Sequence, residues 1–288
     1  MNKNKLLLLG AMGIFGTVGI FRNYIPLDGG VIAGFRAVVG LLFLLGVMLV
    51  SGKRFDWKAI RKNLLILCLS GAAMGFNWVL LFESIGPTTV ATATVCYYLA
   101  PLFLILASPL VGEKLSLKKV LCVAVALVGL VFVSGVMDGG LPPIRQIKGI
   151  LLALGAAVLY ATVMLLNKKL SPIPAYDKTS VQLAAAALVV IPYIFLGKGL
   201  ELGAMTPLSY TLLAVVGIVH TGIAYVMYFG SMGSLKAQTI AIFSYLDPVI
   251  AVLLSALALR EPINFWGIAG TMLILGSALV SELTGNNS

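Results

Sequence analysis

A chain of 288 residues that is 60% hydrophobic and 10% charged, with a mean hydropathy of +1.06, is not a soluble domain, whose charged share is about 25%. Its +10 net charge rests on a few Lys and Arg near the ends of apolar segments, which is a mark of membrane topology and not a nucleic-acid footprint.

A hydrocarbon core of about 30 Å needs roughly 20 mostly apolar residues per spanning helix. Ten such windows fit the chain: 6–24, 31–51, 63–83, 88–109, 117–136, 149–169, 178–197, 209–231, 237–259 and 265–283. The first follows Lys3 and Lys5 and so imitates a signal peptide, but it is long enough to span and lacks an Ala-x-Ala-like site. Its Gly10, Gly13, Gly16 and Gly19 drift around the helix and suit close helix crossings better than a ligand stripe. The second span carries Arg36, and the third carries Asn77 at depth and Glu83 near its end. Arg36 and Glu83 both lie toward the outer side, either as a charge pair or as a snorkelling arginine and a rim acid. The fourth holds Tyr98 and Pro101, the eighth His220, and the ninth Tyr245, Asp247 and Pro248. Cys68, Cys96 and Cys122 fall inside spans without disulfide or metal spacing.

The chain says one stretch twice. Phe76–Pro101 returns as Ile223–Pro248 at an offset of 147 without a gap, and Val79, Phe82, Ser84, Gly86, Thr92, Tyr98, Leu99 and Pro101 recur unchanged. Gly112-Glu113 is answered by Arg260-Glu261-Pro262 and Gly129 by Gly276, while upstream Gly10-Ala11 and Thr17-Val18 pair with Gly155-Ala156 and Thr162-Val163. Such an internal duplication governs the reading of the whole fold. The Gly- and Pro-rich Asp138–Pro143 separates a first five-helix repeat, 1–137, from a second, 145–288, within one integrated membrane domain.

With the N-terminus inside, alternate span ends collect fourteen Lys and Arg against five on the other side, which predicts cytoplasmic N- and C-termini in a multi-pass protein of the cytoplasmic membrane. Five spans per repeat invert the second half in the bilayer, the architecture in which transporters bind substrate near the midplane and alternate access.

Pro101 and Pro248 each remove an amide donor, freeing the carbonyls of Tyr97 and Ser244. Hydrocarbon cannot satisfy such carbonyls, so both kinks are expected to line a cavity; the plainer reading is that they only shape two helices. Tyr98 and Tyr245, three residues before each proline, offer a ring face and a hydroxyl at mid-depth. Asp247 breaks the symmetry, because its counterpart is Ala100. A carboxylate half-way through the bilayer costs at least about 2.5 kcal/mol and is by default functional. His220, opposite Ala73 in the repeat, is an expected partner for Asp247, as a structural hydrogen bond or in proton coupling or substrate contact. Asp247, Tyr245, His220, Tyr98 and Asn77 are thus the expected substrate-binding set. No phosphate loop, H-E-x-x-H or nucleotide fingerprint is present, so neither an enzyme nor a cofactor nor a metal is expected.

The duplicated unit resembles the EamA-type, ten-helix branch of the drug/metabolite transporter superfamily over essentially the whole chain. The resemblance rests on Tyr98-Leu99-Ala100-Pro101 and Tyr245-Leu246-Asp247-Pro248, the acidic turns at Glu113 and Glu261-Pro262, and Gly129 and Gly276. It implies an all-α protein of ten helices, here two inverted repeats, around a central cavity, exporting or exchanging amino acids and other small metabolites; a monomer or homodimer in a lipid bilayer is expected. A non-transporting polytopic enzyme or sensor is the alternative, and it would need a catalytic cluster or output domain. Small multidrug-resistance relatives carry a glutamate in their first helix; Leu6–Phe21 and Gly149–Leu166 contain no acid here.

Overall fold

The computed structural model describes residues 3–107, 117–133, 137, 142–196, 205–232, 246–262 and 264–285. Its elements are helices throughout: α1 (Lys3–Asn23), α2 (Gly29–Val50), α3 (Trp57–Ser84), α4 (Val90–Tyr97), α5 (Ala100–Ala107), α6 (Leu117–Val133), α7 (Ile144–Lys168), α8 (Ala175–Leu196), α9 (Pro207–Gly217), a π-helical turn (Ile218–Ile223), α10 (Ala224–Met232), α11 (Leu246–Ala258) and α12 (Phe265–Gly285). Among the described residues, six helices are long and apolar enough to cross a bilayer, the sixth running unbroken from α9 through the π turn. Shorter apolar stretches in α6, α11 and α12 account for the fifth, ninth and tenth spans. The fourth span is α4 followed by α5.

Why the fourth span breaks is written in its residues. Leu99 N donates back to Cys96 O at 3.2 Å, and Leu102 N starts a new ladder on Leu99 O at 3.0 Å. Pro101 therefore stands in the first turn of α5, where an amide has no intrahelical acceptor and its loss is free. The expected kink is a discontinuity. Pro248 is the third described residue of α11; the residues just before Leu246, Ser244 and Tyr245 among them, lie outside the described residues.

Packing follows the two-fold relation of the repeats. The first span packs on the eighth as the sixth packs on the third, through α1 with α10 and α7 with α3. Spans one and nine meet as do six and four, and spans two and eight as do seven and three. Three further close pairs, α2 with α8, α4 with α11 and α6 with α12, match each span to its own counterpart, while α2 also packs on α3 inside the first repeat. Five-helix repeats in opposite orientation give this pattern.

Apolar burial cannot drive these contacts in lipid, so close fit must. Ile32, Leu44, Phe82, Leu183 and Val190 fill the junction of α2, α3 and α8, while Leu99, Leu102, Ala126 and Ile274 join the fourth span to α6 and α12. Leu49, Val50, Leu196 and Leu257 stay exposed on the outer perimeter, where lipid would meet them. Gly16 shows why small residues matter on α1: a methyl there would stand 2.8 Å from the Asp247 carbonyl and from Ile250. That glycine lets α11 lie against α1 at the depth of Asp247.

Candidate functional site

Four spans bring polar groups together at the centre. Tyr98, the residue at which α4 stops, donates its hydroxyl to Asp247 Oδ2 on α11. The bond crosses between two-fold-related helices, and its mirror image cannot form because Ala100 replaces the acid. Tyr97 stacks on Tyr160 of α7 at 5.4 Å between centroids and meets Tyr98 edge-on at 5.9 Å. From the facing side, Phe15 of α1 touches the rings of Tyr225 and Tyr228 on α10 at 5.7 and 6.1 Å. Tyr97, Tyr98, Tyr160, Tyr225, Tyr228 and Asp247 are each only partly buried.

Arg36 supplies the opposite charge. It is 6% exposed, its Nε donates to Thr221 Oγ1 at 2.7 Å, its guanidinium lies 4.4 Å over the Trp78 ring, and it hydrogen-bonds Tyr225. Asp247 lies within its electrostatic reach, but the carboxylate's direct hydrogen bond is to Tyr98. Taking a charge out of water costs several kcal/mol unless a counter-ion and hydrogen bonds compensate. Arg36 has hydrogen bonds and a ring face in place of a direct bond to a carboxylate among the described residues.

Arg36 is held by a local irregularity that the sequence did not announce. Between α9 and α10 one turn is π-helical, the kind of bulge often found at functional sites. Thr221 Oγ1 turns back to Val216 O at 3.1 Å and still accepts from Arg36. Gly40 of α2 makes this approach possible, since a methyl there would meet Thr221 Cγ2 at 2.4 Å.

Two expected pairings are corrected. His220, in the π turn, does not reach Asp247: its Nε2 bonds Thr17 Oγ1 of α1 at 2.8 Å, its Nδ1 lies 3.4 Å from Val215 O, and Phe21 packs edge-on against its ring. The inserted residue of a π turn rotates everything after it, so the histidine faces α1. Arg36 and Glu83 also find separate partners. Arg36 lies buried against Trp78 and Thr221, neither snorkelling nor paired with the acid, and Glu83 Oε1 accepts from Gly29 N at 2.6 Å to close the start of α2. Asn77 is buried where expected, donating to Ala156 O and accepting from Tyr97 at 3.4 Å; it positions Tyr97 and ties α3 to α7.

Sequence reasoning missed Arg36 as a central residue, the tyrosines 97, 160, 225 and 228, and Thr17. A signal for two of the tyrosines was available: Tyr225 and Tyr228 are three apart and so share a helix face.

Apolar spans in two related sets of five, one of them broken at a proline, fit the class of polytopic membrane transporters. The chain belongs to the EamA-like transporter family, whose model matches it twice, over residues 3–135 and 147–282. It is 32% identical over 247 residues to the "Uncharacterized transporter YxxF" of Bacillus subtilis, covering 85% of this chain and 78% of that one. An "Uncharacterized transporter" of Archaeoglobus fulgidus is 26% identical, covering 93% and 92%, and "Protein RarD" of Salmonella typhi is 26% identical, covering 87% and 84%. A crystal structure with 20% sequence identity shares the fold at a TM-score of 0.67 over 99% of both chains.

Proposed function

We propose that this protein is a secondary carrier that exports or exchanges small zwitterionic metabolites such as amino acids across the cytoplasmic membrane, with both termini in the cytoplasm. Alternating access between the inverted repeats moves the substrate, which binds between α1, the broken fourth span, the eighth span and α11. The observation that carries this reading is the charge arrangement. Arg36 and Asp247 are opposite charges within electrostatic reach, each hydrogen-bonded to neutral groups and not to the other. A zwitterion bridging them would place its carboxylate at Arg36, where a charge-assisted bond is strongest. Its ammonium would lie at Asp247 among the tyrosine faces, which attract cations. Tyr98 would hold Asp247 in place, and His220 with Thr17 would fix α1 against the eighth span. Tyr245, outside the described residues, is assigned to the same site on its repeat relation to Tyr98.

A ligand that binds only the folded protein raises its apparent stability by mass action. In detergent, zwitterions are expected to raise the unfolding temperature of the purified protein in a dose-dependent way, while their N-acetyl and methyl-ester derivatives leave it unchanged. Stabilisation by simple anions or simple cations alone would overturn the assignment of both charges.

A further inference from the structure

A cavity lies away from the central cluster, at the face opposite the chain termini. It holds about 490 Å³ and opens between the start of α4, the end of α6, the start of α7, α11 and α12. Thr88, Thr92, Gln146, Glu261, Asn264 and Thr271 are among the polar residues that line it. Among the described residues that line it, Glu261 is the ionisable one.

That carboxylate is held rigidly. Arg260 adopts a φ of +54°, in the left-handed region that turns a chain sharply at a helix end. The turn brings Glu261 back to accept Val90 N at 2.9 Å and Ala91 N at 3.3 Å, with Ser255 Oγ donating to it as well. Two oxygens have about four acceptor positions, so capacity remains toward the cavity. Among the described residues its direct partners are these amides and a hydroxyl, while Arg145 Nη2 donates to Gly86 O at 3.0 Å and Arg260 is exposed. Thr88 adds a second observation. Its Oγ1 is the buried side-chain polar atom left without a hydrogen-bond partner among the described residues, in the wall of this same cavity. An unsatisfied buried hydroxyl is costly, and a polar occupant would supply the partner after a small rotation.

We propose that this cavity is an accessory binding site for organic ammonium groups, anchored by Glu261 and Thr88 and closed to anions. Thr92 is six residues before Tyr98 and Val252 five after Asp247, so the site lies about 7–9 Å along the same two spans from the central cluster. A substrate amine would pause here between the midplane and that face. The inference goes beyond the carrier reading, and its test needs no transport.

The test places one thiol in the cavity, Thr271→Cys, with the exposed Cys68 replaced by Ser. Intact protein is labelled with a trimethylammonioethyl or a sulfonatoethyl methanethiosulfonate, and adducts are counted by mass. Rates are normalised to those of free mercaptoethanol. A fixed carboxylate a few ångströms from the thiol predicts a normalised cation preference of about tenfold or more. Tetramethylammonium should slow cationic labelling where sodium at equal ionic strength does not, and Asp247→Asn should leave this protection unchanged. Glu261→Gln should remove the preference; if that variant does not fold, the preference and its protection in the Glu261 protein still decide. Equal rates, an anion preference, or failure of both reagents to react would overturn the proposal. Loss of protection in Asp247→Asn would assign the ammonium to the central site instead.

Discussion

Asp247→Asn is expected to weaken zwitterion binding by the scale of a lost charge-assisted hydrogen bond, about 1.5–3 kcal/mol, or roughly ten- to a hundredfold in affinity. The change is nearly isosteric, and the asparagine oxygen can still accept the Tyr98 hydroxyl. Folding and expression should therefore hold, which separates loss of binding from loss of structure. Gly16, against the Asp247 carbonyl, keeps the backbone where it was. Calorimetric titration of the purified variant reads the outcome. An affinity equal to the parent's would remove Asp247 from the site and shift attention to Asn77 and Tyr98.

Arg36→Met should separate binding from stability even more clearly. A buried cation without a direct counter-ion is expensive, and replacing such a group by an apolar side chain of similar length is often neutral or stabilising. Methionine can lie on the Trp78 ring that now receives the guanidinium at 4.4 Å, and sulfur packs well against aromatic rings. Thr221 keeps its bond to Val216 O at 3.1 Å, so its hydroxyl is not left unsatisfied. The unfolding temperature should stay level or rise, while affinity falls about a hundredfold as the carboxylate loses its paired donors. Thermal unfolding and transport assays on one preparation check both halves. A variant that unfolds early but binds normally would make Arg36 a structural residue.

Composition and periodicity made the membrane fold legible because each span must be apolar along its length. Pro101 made an irregularity in the fourth span legible because proline has no amide to donate to a helix ladder, but a kink was expected and the span instead ends one helix and starts another. Asp247 was legible by contrast, since Ala100 occupies the same place in the other half. Partners were not legible, and for one reason: a partner depends on the rotation of a helix about its own axis. His220 sits at the expected depth but faces Thr17 because a π turn changes that rotation. Arg36 and Glu83 were expected as a pair, yet point to different neighbours. The central tyrosines were overlooked for a different reason. Tyrosine is common at the ends of spans, and Tyr97, Tyr160, Tyr225 and Tyr228 come from three different helices whose meeting no single stretch of sequence announces.

Counterflow in liposomes tests the central claim most directly. Proteoliposomes loaded with an unlabelled zwitterion identified by thermal stabilisation are diluted into a trace of the same compound carrying a label. A carrier that alternates access concentrates the label inside transiently, above its outside level, with no imposed ion gradient. The account predicts this overshoot, its suppression by excess external zwitterion, and no suppression by the N-acetyl or methyl-ester derivative. Absence of any overshoot with a compound that binds, or equal suppression by the blocked derivatives, would contradict it.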